Sequence, residues 1–303
     1  ADHRDLHSFP TRRSSDLGKA RICCPTNVLR TLVQWQSYAW SQAADGLWLH
    51  QYGASTLRLD VEGGVFALEQ QTDYPWDGRV GLTVTAAPAC PLTLHLRLPG
   101  WVEDATLSVN GSPAADALTP GTYAKLRRSW RSGDVVELDL PMPARLLAAH
   151  PRVEPCRNQI AVMRGPILYC LESVDLPVGV DLADVYLPDP VRFVPEPLPG
   201  QPFGLVALAG DLLHRPGPDW HDRLYQPAAR APFVRLPTRL VPYLAWANRG
   251  PAAMSVWLPV AWGVSAGAAA PAPAAAAATA RPRTAAPTAP AATPRQDGPL
   301  AEG

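Results

Sequence analysis

Residues 92–98 read Leu-Thr-Leu-His-Leu-Arg-Leu, and this stretch decides the fold class. Leucine at every second position gives an extended chain one apolar face, because successive side chains of a strand point to opposite sides. A helix needs apolar residues at spacings of three and four instead. Read alone, 92–98 predicts a half-buried strand. The period of two recurs at Val80, Leu82 and Val84, and again at Val136, Leu138 and Leu140. Between the runs stand Asp45-Gly46, Gly63-Gly64, Asp77-Gly78, Asn110-Gly111 and Gly133-Asp134, residue pairs that suit tight turns. Many short strands at this spacing predict a mostly β chain of antiparallel β-sandwich architecture. A second β region is expected over about 159–259, carrying apolar runs at 160–163, 167–169 and 255–258. Between about 176 and 239 the chain is proline-rich, and long loops are expected there.

One convincing long helix precedes the strands. Val28, Leu29, Leu32, Val33 and Trp35 recur at three and four, which predicts a helix running to about Trp40. Pro25 suits its first turn, where a missing N–H costs nothing. Cys23-Cys24 stands just before this helix.

Composition excludes several function classes. The 303 residues carry 27 basic and 27 acidic side chains. That balance gives no electrostatic footprint for nucleic acid or an anionic membrane. No apolar run is long enough to cross a bilayer as a helix. Hydrophobic residues make up 47% of the chain, enough for a substantial core. Five cysteines, two of them adjacent, make a poor disulfide framework and point to reduced thiols, metal ligation or catalysis. The 10 tryptophans suit packing or sugar stacking.

The two ends read differently. His7 to Leu17 is HSFPTRRSSDL, which matches residue for residue a translation of a common sequencing-library adapter. Residues 1–17 are therefore expected to be an artefact, with true sequence lost upstream. From 265 to 303 the chain is Ala, Pro and Thr with scattered Arg. Repeated proline breaks helices and alanine buries little area, so a disordered tail is expected.

Several blocks then line up in order. They are CCPTN at 23–27, DGLWLHQY at 45–52, TDYPWDG at 72–78, LRLPGW at 96–101 and VNG at 109–111. LPMP follows at 140–143, HPRV at 150–153, RGPILYCLE at 164–172 and PYLAWANRGPAAMSVWLP at 242–259. In this ordered set the chain resembles glycoside hydrolase family 127, the β-L-arabinofuranosidase-like enzymes. The resemblance implies the end of an (α/α)6 barrel at 18–44, a first β-sandwich at 45–155 and a second at 156–264. It implies a C-terminal fragment of a retaining glycosidase acting on β-L-arabinofuranosides or related sugars. In that reading Cys23 is the nucleophile, and Cys23 and Cys24 both bind zinc. The acid/base Glu and the remaining zinc ligands would lie in the missing barrel, so the fragment is expected to be inactive. A carbohydrate substrate is the implied partner, and a homodimer stays open. The alternative is a non-catalytic β-sandwich that supports the barrel or binds carbohydrate.

Other residues have plainer readings. Tyr74-Pro75-Trp76-Asp77-Gly78 can be a sugar platform or, more simply, a hairpin turn with aromatic packing. The acid pairs Asp73/Asp77 and Glu137/Asp139 read as turn flanks and a solvated strand face. His50, His95 and His150 lack the spacing of a metal site or triad. Cys90, Cys156 and Cys170 lack paired spacing. The tripeptides Arg164-Gly165-Pro166 and Arg249-Gly250-Pro251 read as turn and strand-entry signals, as Trp101, Trp130, Trp246 and Trp257 read as packing.

Overall fold

A computed structural model describes residues 23–114, 118–201, 204–217, 224–227 and 231–270. The expectations for 1–17 and for most of the tail lie outside these residues. The part of the tail that is described, 265–270, is structured. Ala266–Ala268 forms a short 3-10 helix, and the Ala270 carbonyl accepts from Arg235 N at 2.9 Å.

The chain is mostly β, as the alternation at 92–98 requires. One helix, α1 (Cys23–Gln34), leads into ten strands. The first five are β1 (Trp40–Ala43), β2 (Gly46–Leu49), β3 (Ser55–Val61), β4 (Gly64–Thr72) and β5 (Arg79–Ala86). Then come β6 (Leu92–Arg97), β7 (Thr106–Val109), β8 (Ser112–Pro113), β9 (Tyr123–Arg128) and β10 (Val135–Asp139). They form a four-stranded sheet, β1-β2-β6-β9, and a six-stranded sheet, β3-β4-β5-β10-β7-β8. Leu47, Leu49, Leu94 and Leu96 from the first meet Phe66, Val80, Leu82, Val84, Val136 and Leu138 from the second in one core. Each such side chain contributes about 1.5–3 kcal/mol by leaving water. These shared residues make the two sheets a sandwich.

Three sequence expectations change here. The strand β6 is buried on both faces: Thr93 and His95 are buried along with the leucines. It is central in its sheet, and the Trp48 indole covers His95. Pairing is also not wholly antiparallel, since β2 runs parallel to β6 with Leu47 opposite Leu94. The helix stops at Gln34, and a 3-10 turn, Trp35–Tyr38, follows. Trp40 pairs with Leu49 and packs on the sandwich core, so tertiary packing overrides the helical period there.

Paired turns close one end of this sandwich. Asn110 Nδ2 donates to Asp134 Oδ1 at 2.9 Å, and Val135 N donates to Asn110 Oδ1 at 2.8 Å. Arg131 N donates to Asp134 Oδ2 at 2.9 Å. The two turn signals read separately in the sequence thus clasp each other.

The second region begins with β11 (Ala144–Ala148), β12 (Gln159–Arg164), β13 (Ile167–Glu172), β14 (Val185–Pro188) and β15 (Phe193–Pro197). It continues through β16 (Val206–His214), β17 (Val234–Pro242), β18 (Met254–Ser255) and β19 (Leu258–Ala261). Its pairings run β12-β19-β14-β16-β17-β13, and β13 returns to β12, so the strand path closes on itself. Ile160, Val162, Tyr169, Leu171, Val185, Leu187, Leu208, Leu212, Leu236, Leu240 and Leu258, drawn from all six of these strands, share one core. Over 176–239, where long loops are expected, the described residues hold β14, β15, β16 and the start of β17 with irregular stretches between them. Two of their prolines sit on an edge, where proline is tolerated: Pro195 and Pro197 lie on β15, which pairs only with β16 among the described strands.

The two arginines of the repeated Arg-Gly-Pro tripeptides are long-range ties. Arg164 Nη1 donates to the Trp76 carbonyl at 2.8 Å, joining the second region to the β4–β5 loop. Trp76 itself packs against a second-region cluster that includes Cys170, Leu198 and Val241. Arg249 donates to both Glu172 and Asp175. Glu172 is fully buried, and its other oxygen accepts from Ala247 N at 2.8 Å, where the backbone has a φ of 62°. A carboxylate thus holds a left-handed alanine that would otherwise be unfavourable.

Replacing Arg249 by Met leaves Glu172 buried without its cation, and we expect a loss of about 3–5 kcal/mol in urea unfolding. A loss under about 1 kcal/mol contradicts this account. Asp134 gives a pH-dependent test. Its hydrogen bond from Asn110 holds its carboxyl below the usual carboxylate range. Its stabilisation is therefore present above the ordinary carboxylate pKa and fades as pH falls through the lower folded value. Asp134→Ala should cost about 1–3 kcal/mol near neutrality, with the gap to the wild type narrowing in acid. A gap that stays constant with pH contradicts the assignment.

Candidate functional site

The helix α1 carries the cysteine pair at its start. Cys23 and Cys24 are its first residues, so they stand in the first turn, not before it. The first N–H groups of a helix have no intrahelical partner, and that end bears partial positive charge. A thiol there is biased toward thiolate. The side chains of Cys23, Cys24 and Pro25 lie outside the described residues, so the proposed contacts of this pair do too. Further along, Thr31 Oγ donates to the Asn27 carbonyl at 2.9 Å and Arg30 Nη1 to Asn27 Oδ1 at 3.0 Å. The apolar side chains Val28, Leu29, Leu32 and Val33 are exposed, Val33 by 75%. The stripe that predicted this helix therefore buries nothing within the described residues.

The four-stranded sheet brings together residues the sequence left scattered. The rings of Trp48 and His95 stack with centroids 3.8 Å apart and 2° between planes. Asp45, from the turn before β2, accepts from Trp48 Nε1 at 3.1 Å and lies 3.6 Å from His95 Nε2. The Tyr123 ring meets the Trp48 ring edge-on at 4.9 Å. His50 sits between two hydroxyls, with Nδ1 2.6 Å from Tyr123 Oη and Nε2 2.7 Å from Ser41 Oγ. In either neutral tautomer one hydroxyl donates and the other accepts. Neither hydroxyl can take the place of the carboxylate that orients a catalytic histidine. His150 is apart, accepting from Arg152 N at 3.2 Å. The DGLWLHQY block explains Asp45, Trp48 and His50; Tyr123 gave no signal, because only the β6–β9 pairing brings it across.

The remaining candidates sort by their surroundings. Trp76 is a contact between regions and not an open sugar platform. Trp130 and Trp101 pack on the first core, and Trp246 on the cluster that also takes Trp76. Burial pushes the Cys170 thiol up to about 12, with the Glu172 charge adding to the effect, so it is inert near neutrality. Among the described residues no group of three or more His, Cys, Asp or Glu could hold a metal. Nor, among them, is any helix long and apolar enough to cross a membrane.

Comparison with known proteins gives these features a setting. The family profile "Beta-L-arabinofuranosidase, GH127 middle domain" matches residues 46–142. The profile "Glycoside hydrolase family 127 C-terminal domain" matches residues 144–259. The chain is 34% identical over 269 residues to a non-reducing end β-L-arabinofuranosidase of Bifidobacterium longum subsp. longum, covering 82% of this chain and 38% of that protein. A structure titled glycoside hydrolase superposes with a TM-score of 0.78 at 38% identity, covering 86% of this chain and 43% of the other. Ara127N, a family 127 β-L-arabinofuranosidase from Geobacillus stearothermophilus T6, gives a TM-score of 0.71 at 37% identity, covering 78% of this chain and 37% of its own. The chain thus spans less than half the length of these relatives.

Proposed function

This chain belongs to glycoside hydrolase family 127, and on that basis we propose that the whole protein hydrolyses terminal β-L-arabinofuranosides or a closely related sugar with retention. The observation that carries the reading is the order of parts. A Cys-Cys-Pro helix start is followed by residues 46–142 and 144–259, which match the middle and C-terminal domains of one enzyme family.

In this reading Cys23 is the nucleophile. Its Sγ forms a bond to the anomeric carbon as the bond from that carbon to the leaving oxygen breaks. A carboxylic acid protonates the leaving oxygen, and the same group, now a carboxylate, takes a proton from water in the second step. That water forms the new bond to the anomeric carbon, and Cys23 leaves as thiolate. Two inversions give retention. The helix end supports the thiolate in both steps. The acid is proposed to lie outside this sequence, because no residue here matches the acid/base Glu that the family resemblance places upstream in the barrel.

Cys23 and Cys24 match zinc in donor type and fall short of it in number. Zinc takes three or four protein ligands, and two adjacent thiols are only part of such a set. We propose that both would hold the ion in the whole protein. When bound, zinc would supply a further charge that keeps both thiols ionised. The 303-residue chain alone is proposed to be inactive, since the described residues offer no group of three or more His, Cys, Asp or Glu that could complete the zinc site.

Two measurements test this. In the whole protein, Cys23→Ser should cut hydrolysis of an aryl β-L-arabinofuranoside by roughly a thousand-fold or more. Full activity in that variant sinks the assignment. In this chain, alkylation at neutral pH should label Cys23 well before Cys170; labelling in the reverse order removes the case for an activated thiol at the helix start.

A further inference from the structure

The turn between β7 and β8 is the two-residue loop Asn110-Gly111, with φ of 52° and 75°. Both residues are exposed. In such a pair the glycine nitrogen can attack the asparagine side chain, because glycine has no side chain of its own to hinder the approach. A bond forms from Gly111 N to Asn110 Cγ, and the bond from Cγ to Nδ2 breaks. Ammonia leaves, carrying the proton that the glycine nitrogen gives up. Water then opens the succinimide ring at one carbonyl or the other, giving aspartate or isoaspartate. The reaction needs only water and mild base, and both reach an exposed turn. The other three asparagines, Asn27, Asn158 and Asn248, precede Val28, Gln159 and Arg249, whose side chains crowd the same attack. The linkage at 110–111 is the chemically weak one.

The neighbouring turn holds it. Asn110 Oδ1 accepts from Val135 N at 2.8 Å, and Nδ2 donates to Asp134 Oδ1 at 2.9 Å. Asn110 N also donates to the Val135 carbonyl at 2.8 Å. Both atoms of the side-chain amide are thus engaged across the sheet and not along their own chain. Bringing Cγ over Gly111 N means rotating the side chain and giving up both bonds. Asp134 is a firm anchor. It is buried, its Oδ2 accepts from Arg131 N at 2.9 Å, and Arg128 Nη2 lies 4.0 Å away. Hydrogen bonds of this kind favour the charged form, so the acceptor is intact at neutral and alkaline pH.

We propose that Asn110 is a latent deamidation site, and that the clasp by Asp134 and Val135 keeps its linkage intact in the folded protein. The product is not neutral toward the fold. Aspartate at this position sets a carboxylate where an amide now donates to Asp134, and two carboxylates so placed repel. Isoaspartate adds a methylene to the main chain of the turn that puts Val109 opposite Ser112 and Val136. Either change unlatches the two turns from each other.

Peptide mapping of the 303-residue chain, aged in mildly alkaline buffer, tests the proposal through the tryptic peptide 98–125. In the wild type this peptide should stay amidated long after the same segment, as a free synthetic peptide, has converted. Asp134→Ala should deamidate roughly tenfold faster than the wild type, the factor set by losing one hydrogen bond to a charged group. Asp134→Asn keeps an acceptor for Nδ2 and should restore most of the protection. Arg249→Met weakens the second region and leaves the clasp alone, so it should deamidate at the wild-type rate. A wild-type rate equal to that of the free peptide overturns the proposal. So does equal acceleration in Arg249→Met and Asp134→Ala, because global unfolding would then set the rate. Asn110→Asp, which reproduces one product, should melt below the wild type at neutral pH, and an unchanged melting temperature contradicts the unlatching. None of these readouts involves Cys23 or a sugar, so they stand or fall apart from the hydrolase reading.

Discussion

Everything in the first region depends on one contact between sheets. Leu47, Leu49, Leu94 and Leu96 press against Val80, Leu82, Val84, Val136 and Leu138, all almost completely buried. The pleat then leaves no freedom. If Val80 and Leu82 face in, Arg79 and Gly81 must face out, and if Leu138 faces in, Glu137 and Asp139 must face out. A slip of one residue would turn a row of charges into the core. The same constraint that builds the hydrophobic core therefore sets the row of polar side chains on its reverse side.

A second constraint joins the regions. The β4–β5 loop leaves the first sandwich and lays Trp76 on the second region, where Arg164 holds its carbonyl. The adjacent Asp77 turns back to fix Arg79. One short loop thus links the junction of the two regions to Arg79 on the outer face of the six-stranded sheet. Arg249 does similar work farther on, where it neutralises Glu172 and so keeps the Ala247 turn in its left-handed form. Buried carboxylates of this kind are stable only while their cation remains.

Much of this was legible in the sequence. The runs at 80–84, 92–98 and 136–140 are strands because a period of two has few other readings. Turn pairs such as Asn110-Gly111 and Gly133-Asp134 mark real turns, although their mutual clasp is invisible without the fold. What the sequence hid is what depends on neighbours. His95 looks exposed by alternation and is buried because Trp48 stacks on it. The prolines of β15 look like loop formers and are edge residues. The helix period persists to Trp40, yet the sandwich core takes that tryptophan. The cysteine pair was legible as a motif, whereas its neighbours across space were not.

The step we propose for the whole protein is that Cys23, at the start of α1, attacks the anomeric carbon of the sugar. The most direct test is a trapping experiment on the whole protein. A slow β-L-arabinofuranosyl substrate with a good leaving group is mixed with enzyme, quenched in acid, and digested for peptide mass spectrometry. The account predicts one anhydropentosyl unit on the peptide containing Cys23 and Cys24, attached to Cys23. An adduct on a carboxylate peptide, or on Cys24, would contradict it.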